Sequence, residues 1–264
     1  MRRLAFRLAL LLAVPAALVD PVAARPPPPT SAASPPATVD QPPGVVAAAG
    51  AAVDRFVHPL TGRQVSGTLP AARSAILERE GREERELPEK ILDHLGLKPG
   101  DVVADVGAGI GWYTRRLARR IGPDGKVLAV DVQQGMLDQL VERMRAEGVT
   151  NVFPILGDVA DPKLPAGEVD WILLVDVYHE FADPIPMLER LRASLEPGTG
   201  RVALVEYRGE RLLDTMDPIP DDHKMTVEDV LVEWGAAGFE LETLYGFLPH
   251  QHFFVMKPKE PPVN

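Results

Sequence analysis

Between residues 87 and 256 the chain alternates short, mostly apolar runs with amphipathic stretches. The runs at 102–106, 127–131, 152–156, 171–175 and 202–206 lack the apolar/polar alternation of a half-exposed strand. They predict strands buried on both faces, as in a parallel sheet. The intervening stretches 113–121, 133–147 and 185–195 carry apolar residues at helical spacing. A further helix is predicted over 227–237. Thr226 heads it and Asp229 follows three residues on, which is close to a capping box with Asp in place of Glu or Gln. Two more β runs follow at 239–245 and 252–256. Ahead of this repeat, helices are predicted over 71–80 and 87–95. The second has Pro88 in its first turn and is stopped by Gly96 and the Lys98-Pro99-Gly100 turn. Strand and helix in alternation imply an α/β, Rossmann-like fold, a mostly parallel sheet covered by helices on both faces.

The N-terminal quarter differs. Arg2, Arg3 and Arg7 precede the apolar run 8–19 and the small residues Val22, Ala23 and Ala24, a pattern that predicts a secretory signal peptide over 1–24. Pro15 interrupts that run and Asp20 closes it, short of the roughly 20 apolar residues of a membrane-spanning helix. No stable membrane span is therefore expected after cleavage, and the protein is expected to be exported to the periplasm. An uncleaved N-terminal anchor, or a cytoplasmic protein with a misassigned start, are the alternatives. Residues 25–53 are rich in Pro and Ala with few large apolar side chains, and read as a disordered linker. The expected division is completed by a helical extension over 54–95, a cofactor-binding domain over 96–257 and a tail over 258–264.

Charge and composition narrow the chemistry. A formal net charge of −10 argues against a nucleic-acid partner, which would call for a basic face. With no cysteine there is no disulfide, thiolate metal site or cysteine nucleophile. His250 and His252 form an isolated H-x-H without a carboxylate cluster, a poor metal site, so no metal is expected. The 45% apolar content suffices for a large core.

The candidate site residues cluster where the predicted strands end. Gly107, Gly109 and Gly111 follow the strand at 102–106, where glycine lets the backbone turn sharply and approach a ligand. The dinucleotide fingerprint would put its third glycine at 112, where Trp112 stands. Asp131 ends the next strand, 20 residues after Gly111, where an acid can accept from both ribose hydroxyls or cap the helix that follows. Gly157-Asp158-Val159 follows the third strand and reads as a binding turn or an ordinary one. Asp176, Tyr178 and His179 follow the fourth. A histidine there can serve as general base, or be a hydrogen-bonded structural residue.

This ordered set, from an acidic-x-Gly-x-Gly-x-Gly run headed by Asp105 through Asp131, Asp158 and the Asp176-Val177-Tyr178-His179 segment, resembles the class I S-adenosylmethionine-dependent methyltransferases over about 87–256. The resemblance implies S-adenosyl-L-methionine as cofactor and an antiparallel last strand. It implies cofactor contacts from Asp105, Gly107, Ala108, Gly109, Gly111 and Tyr113, a ribose site at Asp131 with Val132 beside it, and an adenine site at Asp158 and Val159. Asp176, Tyr178 and His179 would line the reaction centre, facing a small-molecule acceptor whose reacting atom and identity are open, as is the oligomeric state. A non-catalytic exported binding module and an aminopropyl transferase on the same fold are the alternative readings.

Overall fold

The computed structural model describes residues 56–210 and 219–260. The expected signal peptide, the linker over 25–53 and the end of the tail lie outside the described residues. Five strands run parallel: β1 (Val102–Val106), β2 (Lys126–Asp131), β3 (Val152–Leu156), β4 (Trp171–Val175) and β5 (Arg201–Arg208). The two-residue β6 (Lys224–Met225) pairs with the end of β5. β7 (Phe239–Tyr245) and β8 (Gln251–Pro258) close the sheet, in the order β3-β2-β1-β4-β5-β8-β7. β8 lies antiparallel between β5 and β7, as the resemblance implied.

Helices cover both faces, which is why the central strands carry no polar alternation. On one face α5 (Pro184–Ser194) and α6 (Val227–Ala236) supply Leu188, Leu191, Val230 and Trp234 against Ala104, Leu128, Ile172 and Leu204. On the other, α2 (Pro88–Asp93) and α3 (Thr114–Ile121) pack Ile91, Leu92, Leu117 and Ile121 against Val103, Val127, Leu173 and Ala203. The longest helix among the described residues, α4 (Gln134–Ala146), covers Ala129 with Leu140 and Met144. A core of this kind removes whole Leu and Ile side chains from water, at about 1.5–3 kcal/mol each. Among the described residues no helix is long and apolar enough to cross a membrane.

The predicted cap at Thr226 is present. Its hydroxyl oxygen accepts from the Asp229 amide at 3.0 Å, and the Asp229 carboxylate accepts from the Thr226 amide at 3.3 Å. Thr226→Ala is expected to cost about 1 kcal/mol, read as a lower midpoint of chemical denaturation. An unchanged midpoint would show that α6 is held by packing alone.

The extension before the sheet differs most from expectation. Ala71–Glu78 is a 3-10 helix that ends at Arg79. Gly81, at φ 74°, turns the chain into α1 (Arg82–Glu86), and Leu87, at φ 47°, breaks it again before α2. The second break has a local cause, because Pro88 disfavours the right-handed helical region for the residue before it. The start of the extension is pinned to α6. The fully buried Glu233 accepts from Arg63 Nε at 2.9 Å and from the Tyr178 hydroxyl at 2.8 Å, and Thr61 donates to it as well.

Candidate active site

The strand order reverses between β1 and β4, which places the carboxyl ends of those strands beside a crevice, the usual ligand site of an open α/β sheet. Gly107, Gly109 and Gly111 leave β1 with φ of 77°, 53° and 89°. All three therefore lie in the left-handed region that L side chains avoid. Added methyl groups would also collide, with Val177 at Gly107, and at Gly109 the added Cβ would lie 2.9 Å from Leu77 Cδ1. The amides of Gly107 and Ala108 both donate to the Val130 carbonyl at 2.9 Å, which anchors the loop to β2.

Asp131 ties that loop to the start of α4. Its Oδ2 accepts from the Gly109 amide and its Oδ1 from the Gln133 amide, both at 2.9 Å. Each oxygen keeps a second lone pair for a ligand hydroxyl. Burial raises the Asp131 pKa, and the hydrogen bonds from Gln133 and Gly109 oppose the rise. Asp105 is buried beneath, with Oδ2 accepting from the Thr114 hydroxyl at 2.6 Å, and burial pushes its carboxyl up to about 6. The Tyr113 ring lies in the core, yet its hydroxyl has no hydrogen-bond partner among the described residues. Beyond Asp131 and Asp158, Val132 is 42% exposed and Val159 56% exposed. Two bare apolar side chains next to two carboxylates, one just past the end of β2 and one just past the end of β3, are suited to a flat heterocycle joined to a ribose. Asp158 itself is exposed, with Oδ1 accepting from the Val159 amide at 2.7 Å.

Across the crevice, the segment after β4 carries the second half of the site. Asp176 takes a left-handed backbone, φ 51°, unusual for a residue with a Cβ. Gln251 Nε2 donates to its two carboxylate oxygens at 2.9 and 3.0 Å. Burial first, and then the charges of Glu86 and Glu206, hold the Asp176 carboxyl well above the ordinary carboxylate range. His179 is buried with Nδ1 2.7 Å from Glu206 Oε2, while its Nε2 has no partner among the described residues. Glu206 is fully buried, and its other oxygen accepts from the Val177 and Tyr178 amides at 3.1 and 2.7 Å. One carboxylate thus shapes the segment and sets the imidazole tautomer: Nδ1–H donates to Glu206 and Nε2 offers a lone pair. Burial opposes the imidazolium, but Glu206 outweighs it and raises the His179 pKa above the ordinary 6.5. Beside it, burial pushes the Glu180 carboxyl up to about 7. His223 lies against His179 with ring centroids 5.0 Å apart and its own Nδ1 2.9 Å from Asp222.

Tyr178 is not brought to this group. Its ring packs between Phe181 and Trp234 and its hydroxyl is committed to Glu233 on α6, because the 3-10 turn Tyr178–Glu180 sends successive side chains to different sides. Sequence reasoning overlooked Glu206, Gln251, Arg82 and Glu86. A glutamate closing the apolar run 202–206 was the available signal for the first; the others carry none until the fold is known. Among the described residues no three His, Asp or Glu side chains gather as a metal site.

Comparison with known proteins agrees with this geometry. A family model described as a methyltransferase domain matches residues 103–198. Nocamycin O-methyltransferase of Saccharothrix syringae is 32% identical over 120 residues, 46% of this chain and 42% of that protein. The uncharacterized methyltransferase YdaC of Bacillus subtilis is 27% identical over 158 residues, 60% of this chain and 82% of that protein. The chain spans less than half the length of the first curated relatives it matches, 44% and 42%. In three dimensions it is similar to a SAM-dependent methyltransferase from Aquifex aeolicus, with a TM-score of 0.66, 26% identity and coverage of 72% of this chain and 98% of that one. The glycine cradle that a Cβ would fill, the unpartnered Tyr113 hydroxyl and the bare Val132 and Val159 fit the cofactor of that family. With the strand order, the site and the relatives in agreement, residues 103–198 form a methyltransferase domain, set in a sheet similar to that of S-adenosylmethionine-dependent methyltransferases.

Proposed function

We propose that the protein transfers a methyl group from S-adenosylmethionine to a small-molecule acceptor, with His179 as general base. The observation that carries this reading is the buried His179 imidazole, fixed through Nδ1 by Glu206 and with Nε2 unpartnered, at the end of β4 across from the glycine loop. When bound, the cofactor supplies a methyl already activated on a sulfonium, so the protein has mainly to align the acceptor and exclude water. The cofactor's sulfur would leave with the electron pair of its bond to the methyl carbon, so no protein group has to stabilise a leaving group. The acceptor's proton passes to His179 Nε2, and Glu206 offsets the imidazolium charge. Asp131 and the glycine loop would hold the ribose, Val132 and Val159 would flank the adenine ring, and Asp176 and Gln251 line the space beside the reacting centre.

A small acceptor is supported by the acidic balance of the chain and by the similarity to nocamycin O-methyltransferase. The test is calorimetric binding of S-adenosylmethionine and S-adenosylhomocysteine, followed by an acceptor screen with release of S-adenosylhomocysteine as readout. Binding with turnover supports the reading; binding without turnover across a broad screen favours the exported binding module.

Export is also proposed, on the arginines and apolar run of residues 1–24. Mass spectrometry of the protein from its native cells is expected to show a mature chain starting at about residue 25. An intact Met1 in the cytoplasmic fraction would refute export.

A further inference from the structure

His179 is only 2% exposed, so a proton it takes from an acceptor is not handed straight to bulk water. Each turnover delivers one such proton, and the imidazole must be neutral again before the next. Around it stand Glu206 of β5, bonded to Nδ1, and the carboxylates of Glu180 and Asp176. The extension also lies against it: the Ser66 amide and Arg63 Nη1 donate to the His179 carbonyl at 3.1 and 3.3 Å. Beyond these groups comes a second histidine, His223, which the mechanism above does not use.

The two imidazole rings lie 5.0 Å apart between centroids, with their planes tilted by 42°, a gap that one water can span. Unlike His179, the His223 side chain is 38% exposed, and that of Asp222, 2.9 Å from its Nδ1, is 39% exposed. The bond from His223 holds the Asp222 carboxyl below the usual range, so it stays charged beside the ring. On the other ring nitrogen, Nε2 lies 3.4 Å from the buried Ser66 Oγ, and the Ser66 hydroxyl also donates to the Gly67 carbonyl at 3.1 Å. That hydroxyl suits both charge states of the ring. It can donate to a neutral Nε2, or turn its hydrogen to Gly67 and accept from Nε2–H, while Asp222 accepts from Nδ1–H in either case. His223 can therefore gain and lose a proton without leaving a ring nitrogen unpaired.

We infer that His223 carries the proton between His179 and solvent, with Asp222 and Ser66 fixing its ring. This rests on the reading of His179 as the base. After methyl transfer His179 is an imidazolium, with Nδ1–H on Glu206 and the acceptor's proton on Nε2. The Nε2 proton moves onto the bridging water as that water gives one of its own to His223 Nε2. His179 is then neutral, and the His223 imidazolium, its charge offset by Asp222, releases the proton to bulk water or buffer. Only N–H and O–H bonds are made or broken, and no further reactant is consumed.

The test needs neither cofactor nor acceptor. It is the exchange of the His179 Nε2 proton with water, read by nuclear magnetic resonance in the full chain carrying nitrogen-15-labelled histidine, whose six signals are assigned by substitution. The measurement is made at about pH 6, below the raised pKa of His179, where the ring holds both protons. His223→Ala is expected to slow this exchange about 10²-fold, the lower end of what a positioned proton-transfer group contributes. Added imidazole, small enough to enter the space the ring leaves, is expected to restore it. Parental exchange in His223→Ala overturns the inference, because His179 then discharges by another route. Slow exchange that imidazole does not restore overturns it too, since the ring would then be structural. If the alanine variant fails to fold, Asp222→Asn decides on an exposed position: slower exchange is expected, and a parental rate overturns the inference. A parental kcat in His179→Ala overturns the base reading itself, and the inference with it, whatever the exchange rate.

Discussion

Asp131→Ala is expected to weaken S-adenosylhomocysteine binding by about 100-fold, the scale of losing one to two hydrogen bonds to a charged acceptor at about 1.5–3 kcal/mol each. The loss has two parts. One is direct, because the carboxylate is placed to accept from the ribose hydroxyls. The other acts through the protein: Asp131 holds the amides of Gly109 and Gln133, so its removal frees the loop over which the ligand lies. Asp131→Asn separates the parts, since an amide can keep one of those two acceptor bonds but not the charge, and it should fall between parent and alanine. Titration calorimetry reads all three proteins. Parent-like affinity in the alanine variant would put the nucleoside elsewhere.

His179→Ala is expected to lower kcat by about 10²–10⁴, the usual contribution of a positioned general base, and to leave cofactor affinity unchanged. The base must be neutral at Nε2, and Glu206 raises the His179 pKa above 6.5. The rate is therefore expected to rise with pH through a limb that lies above 6.5 and to be lost as the imidazole protonates below it. Glu206→Gln removes the charge that lifts the pKa and leaves burial, which lowers it. The limb should then move to lower pH while kcat falls, because the tautomer is less firmly held. A limb that stays in place would show that the titration belongs to another group, with Glu180 next to be tested. An alanine variant with parental kcat and an unchanged pH profile would return His179 to a purely structural role.

Much of the cofactor half of this site is legible from local sequence because its parts are local. A glycine at φ above 50° is needed wherever a strand must turn directly into a helix over a ligand, and Gly107, Gly109 and Gly111 sit together in five residues. Asp105 stands one residue before the end of its strand run and Asp131 and Asp158 at or just past the ends of theirs, and a parallel sheet places all such ends along one edge. The acceptor half is less legible. Tyr178 and His179 are neighbours in the chain, yet one is bonded to Glu233 on α6 and the other to Glu206 on β5, because a tight 3-10 turn separates their directions. The extension misled for a related reason: apolar spacing over 71–80 does not distinguish an α-helix from a short 3-10 segment shaped by what it packs on.

By itself the sequence determined the alternation of strands and helices, the burial of the sheet on both faces, the glycine turn and the acidic strand ends. These rest on periodicity, backbone freedom and the position of a residue within its own element, all readable within a window of a few residues. Only the tertiary structure decided which distant side chains meet. Glu206 reaches His179 across 27 positions, Gln251 reaches Asp176 across 75, and Arg63 reaches Glu233 across 170. Such pairings follow from strand order and from how the extension wraps the sheet, and no local pattern encodes them. Burial then gives them their chemistry, since a carboxylate removed from water has an altered pKa and an imidazole fixed by one has a defined tautomer.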